Sequence, residues 1–600
     1  MLPIQQTLDL ALQYHQAGNL QQAEQLYRQV LQADPANVVA LHLLGLIAHQ
    51  CGRSDLAVQW IGEAIRLHPD FAEARNNLGI ILMEMGQLDE AMVHYREALR
   101  LVPHFAQAHN NLGNCLKKQG KRAEAVASYR QALSFHPNYP EAFNNLGIMY
   151  EEDGNLDDAV ASARKALSLM PNYAEACNNL GNALHKQGKV DEALAAMREA
   201  LRLNPLFAPA HYNLGFMLGE QGKQDEAVAS LLEALRLNPN HAEAHNNLGI
   251  IREAQGRSAE AEVSLKQALV LKPDLVDAHY NLAQVLLRQG KLQQGWAEYE
   301  WRCRRPEFPP PAFAQPFWQG EQLAGRTILL QAEQGMGDTI QFVRYARMVK
   351  DRGAGAVWLR CQPTLVRLLR HCPGIDRALA RGEPVPHFDV QVNLLSLPHL
   401  LGTTGVERIP ANVPYLEAEP ELVNAWRSRL QSLDGLKVGI QWQGNPDHRG
   451  DRWRSVALRH FAGLARSAGQ PFQADMHFRL ESLTYVSLQK GHGSEQLAQM
   501  PGLARDVGPD LMDFADTAAV LMNLDLVITI DTAVAHLAGA LGRPVWVLLP
   551  FAADWRWLLE RDDSPWYPTM RLFRQRSPGA WDDVFGRIAE AMRGIHLTAG

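Results

Sequence analysis

AQAHNNLGNCLKKQGKRAEAVASYRQALSFHPNY, residues 106–139, is followed directly by PEAFNNLGIMYEEDGNLDDAVASARKALSLMPNY, residues 140–173. Superposed, the two stretches share N-N-L-G, a second glycine after it and a proline near the end, all in one register. The register extends both ways. One glycine series runs Gly45, Gly79, Gly113, Gly147, Gly181, Gly215 and Gly249 at a step of 34 residues; a second runs Gly18, Gly52, Gly86 and so on to Gly290. Prolines keep the same step from Pro35 to Pro273. A fixed period of this size marks stacked repeats, and its chemistry is that of a helical hairpin. The first glycine, with small neighbours such as Ala57, Ala64 and Ala91, lets two helices approach. The second ends a helix where a positive φ is needed. Proline stops the second helix or opens the next unit.

This pattern closely resembles the tetratricopeptide repeat. The resemblance implies an α-solenoid superhelix of nine units over residues 4–305. Unit one is atypical, with Ala11 and Val30 where glycine and alanine recur, as a cap would be. Unit nine also departs, with Gly295 and Arg302, as it hands over to the next domain. Asparagine occupies one position in seven successive units: Asn77, Asn111, Asn145, Asn179, Asn213, Asn247 and Asn281. In tetratricopeptide superhelices that helix lines the concave face. An amide both donates and accepts, so it can hold an extended peptide by its backbone. A similar ladder lines the array of O-linked N-acetylglucosamine transferases, which implies a protein or peptide partner. The alternative is that the asparagines bridge neighbouring repeats.

The totals bound the rest. The chain has 600 residues, 46% hydrophobic and 20% charged, and a net charge of −7. This suits several soluble domains and offers no basic footprint for nucleic acid. Six scattered cysteines without a C-x-x-C pair speak against a disulfide framework or zinc site. No basic n-region opens the chain, and no apolar run reaches the roughly 20 residues of a membrane span. A cytoplasmic location is the expectation.

After a proline-rich connector at 306–325, whose Phe308, Phe313, Phe317 and Trp318 should pack on the next domain, the period changes. Apolar runs at 327–332, 356–360 and 388–392 read as strands, and those at 436–442, 484–488, 526–530 and 544–549 repeat the pattern. Strands alternating with helices predict parallel sheets. Two Rossmann-like lobes follow, at 326–415 and 416–600, with ligands expected at the carboxyl ends of the strands.

In I-T-I-D-T-A-V-A-H-L-A-G-A-L-G-R-P, residues 528–544, a strand turns at Asp531 and Thr532 into a small-residue helix. Its N-terminal amides suit a phosphate. Thr532 adds a hydroxyl, Asp531 can accept from sugar hydroxyls, and His536 lies one turn inside. Asp531 as a helix cap and His536 as a core histidine are the structural alternative. The segment resembles the donor-diphosphate loop of heptosyltransferase-like glycosyltransferases of the GT-B fold. That resemblance implies a nucleotide-sugar donor and a general base at Asp338 in E-Q-G-M-G-D, residues 333–338, with Glu333 in reserve. It also implies phosphate contacts at Gly444 and Asn445, a basic contribution from Arg452 or Arg454, and nucleoside contacts near Gln489 and Lys490. A tight turn with a helix cap, and a solvated basic loop, are the plainer readings of those two loops. No Asp-x-Asp pair is present, so the expectation is a transferase with neither metal nor cofactor. Residues 467–482 are longer than that family's usual connector. Three functions remain open: transfer to protein Ser/Thr held by the array, transfer to a glycan or lipid-linked acceptor, or a scaffold with an inert module.

Overall fold

The computed structural model describes residues 3–308, 313–447, 450–468 and 483–593, and within them the chain falls into two compact units, 1–239 and 240–600. Most of the long connector noted at 467–482 lies outside the described residues.

The first unit is seven helical hairpins, from Ile4–Gln16 and Leu20–Ala33 to Ala208–Glu220 and Gln224–Leu237. Each glycine between the two helices of a hairpin has positive φ, as at Gly120 (φ 74°). The other glycine series is a packing device. A Cβ on Gly113 would lie 2.6 Å from the Tyr129 ring, and one on Gly79 would lie 2.7 Å from that of Tyr95. Prolines such as Pro103 lie just beyond the second helix, which ends at Leu101. Missing the amide hydrogen and locked in φ, they stop it.

The second unit opens with two more hairpins (Ala242–Ala254 with Ser258–Leu271, Val276–Arg288 with Leu292–Tyr299) and continues into two parallel sheets. In the first, β1 (Thr327–Gln331), β2 (Ala356–Cys361), β3 (Arg377–Ala380) and β4 (Val390–Asn393) lie in the order β3-β2-β1-β4. The second holds β5 (Leu436–Gln441), β6 (Leu483–Ser487), β7 (Ala504–Asp506), β8 (Leu526–Ile530), β9 (Val545–Leu549) and β10 (Met570–Arg574), ordered β10-β9-β8-β5-β6-β7. Strand order reverses between β1 and β4 and between β5 and β8, the switch points where doubly wound sheets leave a ligand crevice. The short strands β3, β7 and β10 carry weak sequence signals. β3 and β7 have only four and three residues, and β10, M-R-L-F-R, carries arginine at two of its five positions.

The last repeat and both sheets share one core, from Leu287 and Trp296 through Ile328 and Leu330 to Val527 and Val547. Trp296 meets Trp555 edge-on at 5.2 Å. The connector packs as its aromatics predict: Phe313 stands edge-on to Phe388 at 5.3 Å and Trp318 is buried. Phe317 is 40% exposed instead, because strand-like pairing of its backbone beside Gln391 turns its ring outward.

Candidate functional site

The chain turns from β1 through Glu333–Gly335 into the helix Met336–Phe342, and from β8 through Asp531–Thr532 into the helix Ala533–Ala540. These two helix starts abut. A Cβ on Gly337 would lie 2.9 Å from the His536 ring and 3.6 Å from Ala533. Only glycine allows that approach, which puts Asp338, the next residue, close to the 531–533 turn. Asp338, Asp531, Thr532 and Asp554 are each partly exposed there.

Asp338 is held twice. Its Oδ2 accepts from the Gly335 amide at 2.9 Å, closing a capping turn, and its Oδ1 is ion-paired to Arg556. Burial raises its pKa while Arg556 pulls the other way, and the net direction is upward. Arg556 arises from the loop after β9 and spans the lobes. Its Nε donates to Gln341 Oε1 at 2.7 Å and its Nη1 to Asp554 Oδ1 at 2.8 Å. Burial opposes ionisation of Asp554, but Arg556 outweighs it and holds that carboxyl low. Burial, then the neighbouring Asp554, push Asp531 up to about 6.

Thr532 donates to Gln441 Oε1 at 2.5 Å, fixing the turn to the end of β5. Arg454 donates to the Asp531 carbonyl at 3.0 Å and to Asp451 at 3.2 Å, so it stands beside the helix start. Gly444 is crossed by these groups; a Cβ there would collide with the Asp451 carboxylate and lie 2.7 Å from Arg454. The structure therefore gathers Asp338, Gly444, Arg454, Asp531, Thr532 and His536.

His536 is buried, with Nδ1 3.0 Å from the Tyr567 hydroxyl and its ring stacked on Trp557 at 5.4 Å. Burial pushes its pKa down to about 3, so it is neutral and enters the site through packing. The remaining sequence candidates are engaged elsewhere. Gln489 accepts from the Trp442 and Gln443 amides and donates to the Gln443 and His492 carbonyls, which fills its amide's capacity with loop closure. Lys490 is exposed and donates to the Leu511 carbonyl. Asn445 accepts from the Asp447 amide in an exposed turn. Arg452 lies over the exposed Trp453. Glu333 faces the seam, where its Oε1 accepts from the fully buried Arg302 at 2.8 Å.

The ladder asparagines are half-buried and bridge repeats. Asn111, Asn145, Asn179 and Asn213 donate to Asn76, Asn110, Asn144 and Asn178 at 2.8–3.0 Å, and in the second unit Asn281 donates to Asn246 at 2.9 Å. Asn77 pairs with His42 at 2.9 Å. Asn247 accepts from the Asn246 amide at 3.2 Å. One amide hydrogen of each donor is thus spent between repeats. Among the described residues no cluster of three or more His, Cys, Asp or Glu could hold a metal, and no helix is long and apolar enough to cross a membrane.

Sequence reasoning missed Arg556, Asp554 and Tyr567. The available signal for Asp554 and Arg556 was F-A-A-D-W-R-W, residues 551–557: a charged pair among tryptophans just beyond the carboxyl end of a strand.

Residues 79–290 match a TPR repeat family in six successive segments, residues 14–78 match a tetratricopeptide repeat family, and residues 494–548 match glycosyltransferase family 9 (heptosyltransferase). Protein FlbA of Caulobacter vibrioides is 28% identical over 336 residues, covering 52% of this chain and 54% of FlbA, so the chain spans about half the length of that curated relative. Among solved structures, the APC/C hetero-tetramer Cut9–Hcn1 is 20% identical over 47% of this chain and 55% of its own, with a TM-score of 0.40. A thermophilic TPR protein of Thermus thermophilus is 27% identical over 30% of this chain and 99% of its own, with a TM-score of 0.28.

Proposed function

We propose, for a chain that joins tetratricopeptide repeats to a heptosyltransferase-like glycosyltransferase module, an inverting, metal-independent transfer of a sugar from a nucleotide-sugar to a hydroxyl of a protein Ser or Thr. The observation that supports it most is the approach of Asp338 to the helix start at Asp531–Ala533, with Gly337 packed on His536 between them. The acceptor O–H gives its proton to the Asp338 carboxylate, its oxygen bonds the anomeric carbon, and the bond from that carbon to the diphosphate oxygen breaks. The leaving oxygen keeps the electron pair, and the helix N-terminus and Arg454 stabilise its charge. The ladder asparagines hold the acceptor chain through their remaining amide capacity. The reaction is placed in the cytoplasm.

Asp338→Asn is expected to lower transfer about 10²–10⁴-fold while the melting temperature holds. Undiminished transfer moves the base elsewhere. Asn145, Asn179 and Asn213 changed together to alanine should raise KM for a protein acceptor several-fold; kinetics that stay unchanged favour a glycan or lipid-linked acceptor. The Asp338–Arg556 pair also favours a second reading, a scaffold whose module is inert, since it leaves the carboxylate neutralised. A native chain that neither binds nor is stabilised by any nucleoside diphosphate would decide for that reading.

A further inference from the structure

We propose that Arg556 is a donor-positioning residue that exchanges Asp338 for the donor's diphosphate, so that donor binding frees Asp338 to take the acceptor's proton. This rests on the glycosyl-transfer reading and adds an order to it: donor first, acceptor second.

The geometry carries the inference. A guanidinium presents its N–H donors in a fixed planar fork, the shape that pairs with carboxylate or phosphate. In Arg556 that fork serves Gln341 and Asp338 of the first lobe and Asp554 of its own loop. Around it stand three carboxylates, Asp338, Asp531 and Asp554; Arg454 lies beside the Asp531 carbonyl, while Arg288 and Arg344 act on Asp554 and His536 from farther off. His536 is neutral and adds no positive charge. A diphosphate arriving at the 531–533 turn meets these carboxylates, and of Arg454 and Arg556 only Arg556 has its guanidinium held by side-chain partners alone. Arg454 is fixed to a backbone carbonyl. A carboxylate paired with a guanidinium is a poor base, because the pairing favours its ionised form. Moving Arg556 to the phosphate removes that pairing when a proton acceptor is needed.

The exchange need not open the lobes. Arg344 ties them independently, donating to the Trp566 carbonyl at 2.8 Å, the Pro410 carbonyl at 3.1 Å and the Tyr415 hydroxyl at 3.0 Å.

The test is calorimetric binding of ADP, GDP, UDP and dTDP, and of their parent nucleosides, to the full-length chain and its variants. Arg556→Lys and Arg556→Met should weaken diphosphate binding about ten- to hundredfold and leave nucleoside binding unchanged. Asp338→Asn, which removes the competing partner, should tighten diphosphate binding about fivefold or more. The double variant Asp338→Asn/Arg556→Met should lose that gain. A merely structural arginine would weaken nucleoside and diphosphate alike, and that result overturns the proposal. So does an Asp338→Asn chain with no gain, which tests the exchange even if the Arg556 variants do not fold. If the native chain binds none of the four diphosphates, the glycosyl-transfer reading falls as well; if it binds and the variants do not separate, the exchange alone falls.

Discussion

His536 shows how one residue can look like a ligand and act as a wedge. Its place one turn inside a helix suggests reach toward a phosphate, but the fold encloses it between Trp557, Tyr567 and Gly337 and holds it neutral. Its pKa falls from the ordinary 6.5 to about 3, so the neutral ring stabilises the fold fully above pH 6.5, and that contribution is lost as pH falls toward 3. Between pH 6.5 and 5 the loss is about 2 kcal/mol from this group. His536→Gln should therefore show a shallower loss of stability than the native chain over that interval, read from denaturant melts at each pH. His42 in the first unit, pushed down to about 4 by burial, supplies a second acid-sensitive group common to both chains. If the two curves run parallel, the burial argument fails. Asp531, Thr532, Arg454 and Gly444 were legible because a strand end, a helix start and a glycine are local signals. Arg556 was not: its partners Asp338 and Gln341 lie more than two hundred positions away, and nothing local marks a guanidinium that spans two lobes.

At the scale of the element, the repeat is written in pairs of sizes. The glycine of one helix faces the residue sixteen positions on: Ile61, Tyr95, Tyr129, Met197 and Leu231 all press within 2.9 Å of the missing Cβ. In the fifth hairpin the facing residue is Ala163, and a Cβ on Gly147 would meet nothing nearer than the Ala159 carbonyl at 3.3 Å. Gly113→Ala should therefore cost about 1–3 kcal/mol through overpacking against Tyr129. Gly147→Ala should be close to neutral, since the gain in helix propensity of about 1 kcal/mol offsets a mild contact. Urea midpoints of the two variants check this, and an equal loss in both would refute the size-pairing rule. The period made the hairpins legible. The asparagines were legible as a series, but their hydrogen bonds to the preceding repeat depend on the stagger between hairpins, which no single repeat reveals.

At the scale of the whole molecule, the last two hairpins fold with the sheets. Arg302, fully buried, joins Glu300, Glu333 and Ser396, while Trp296 and Tyr299 cover Trp555. A chain beginning at residue 240 should melt in one cooperative transition and keep any nucleotide binding the full chain has. One beginning at residue 326 strips Glu333 of its cation and bares that aromatic face, so it should aggregate or melt far lower; leaving one partner of a buried ion pair alone costs about 3–5 kcal/mol. Equal melting temperatures for the two would show the seam to be incidental. The sequence by itself determined the periodic hairpins, the parallel strands and the loops at their carboxyl ends, because each of these is set by neighbours along the chain: spacing, turn residues, apolar runs. Only the tertiary structure decided that the ninth hairpin belongs to the core of both lobes, that Glu333 faces that seam, and that Asp338 is paired with Arg556. Those outcomes depend on which surfaces exclude water together, and burial of charge is settled between distant segments.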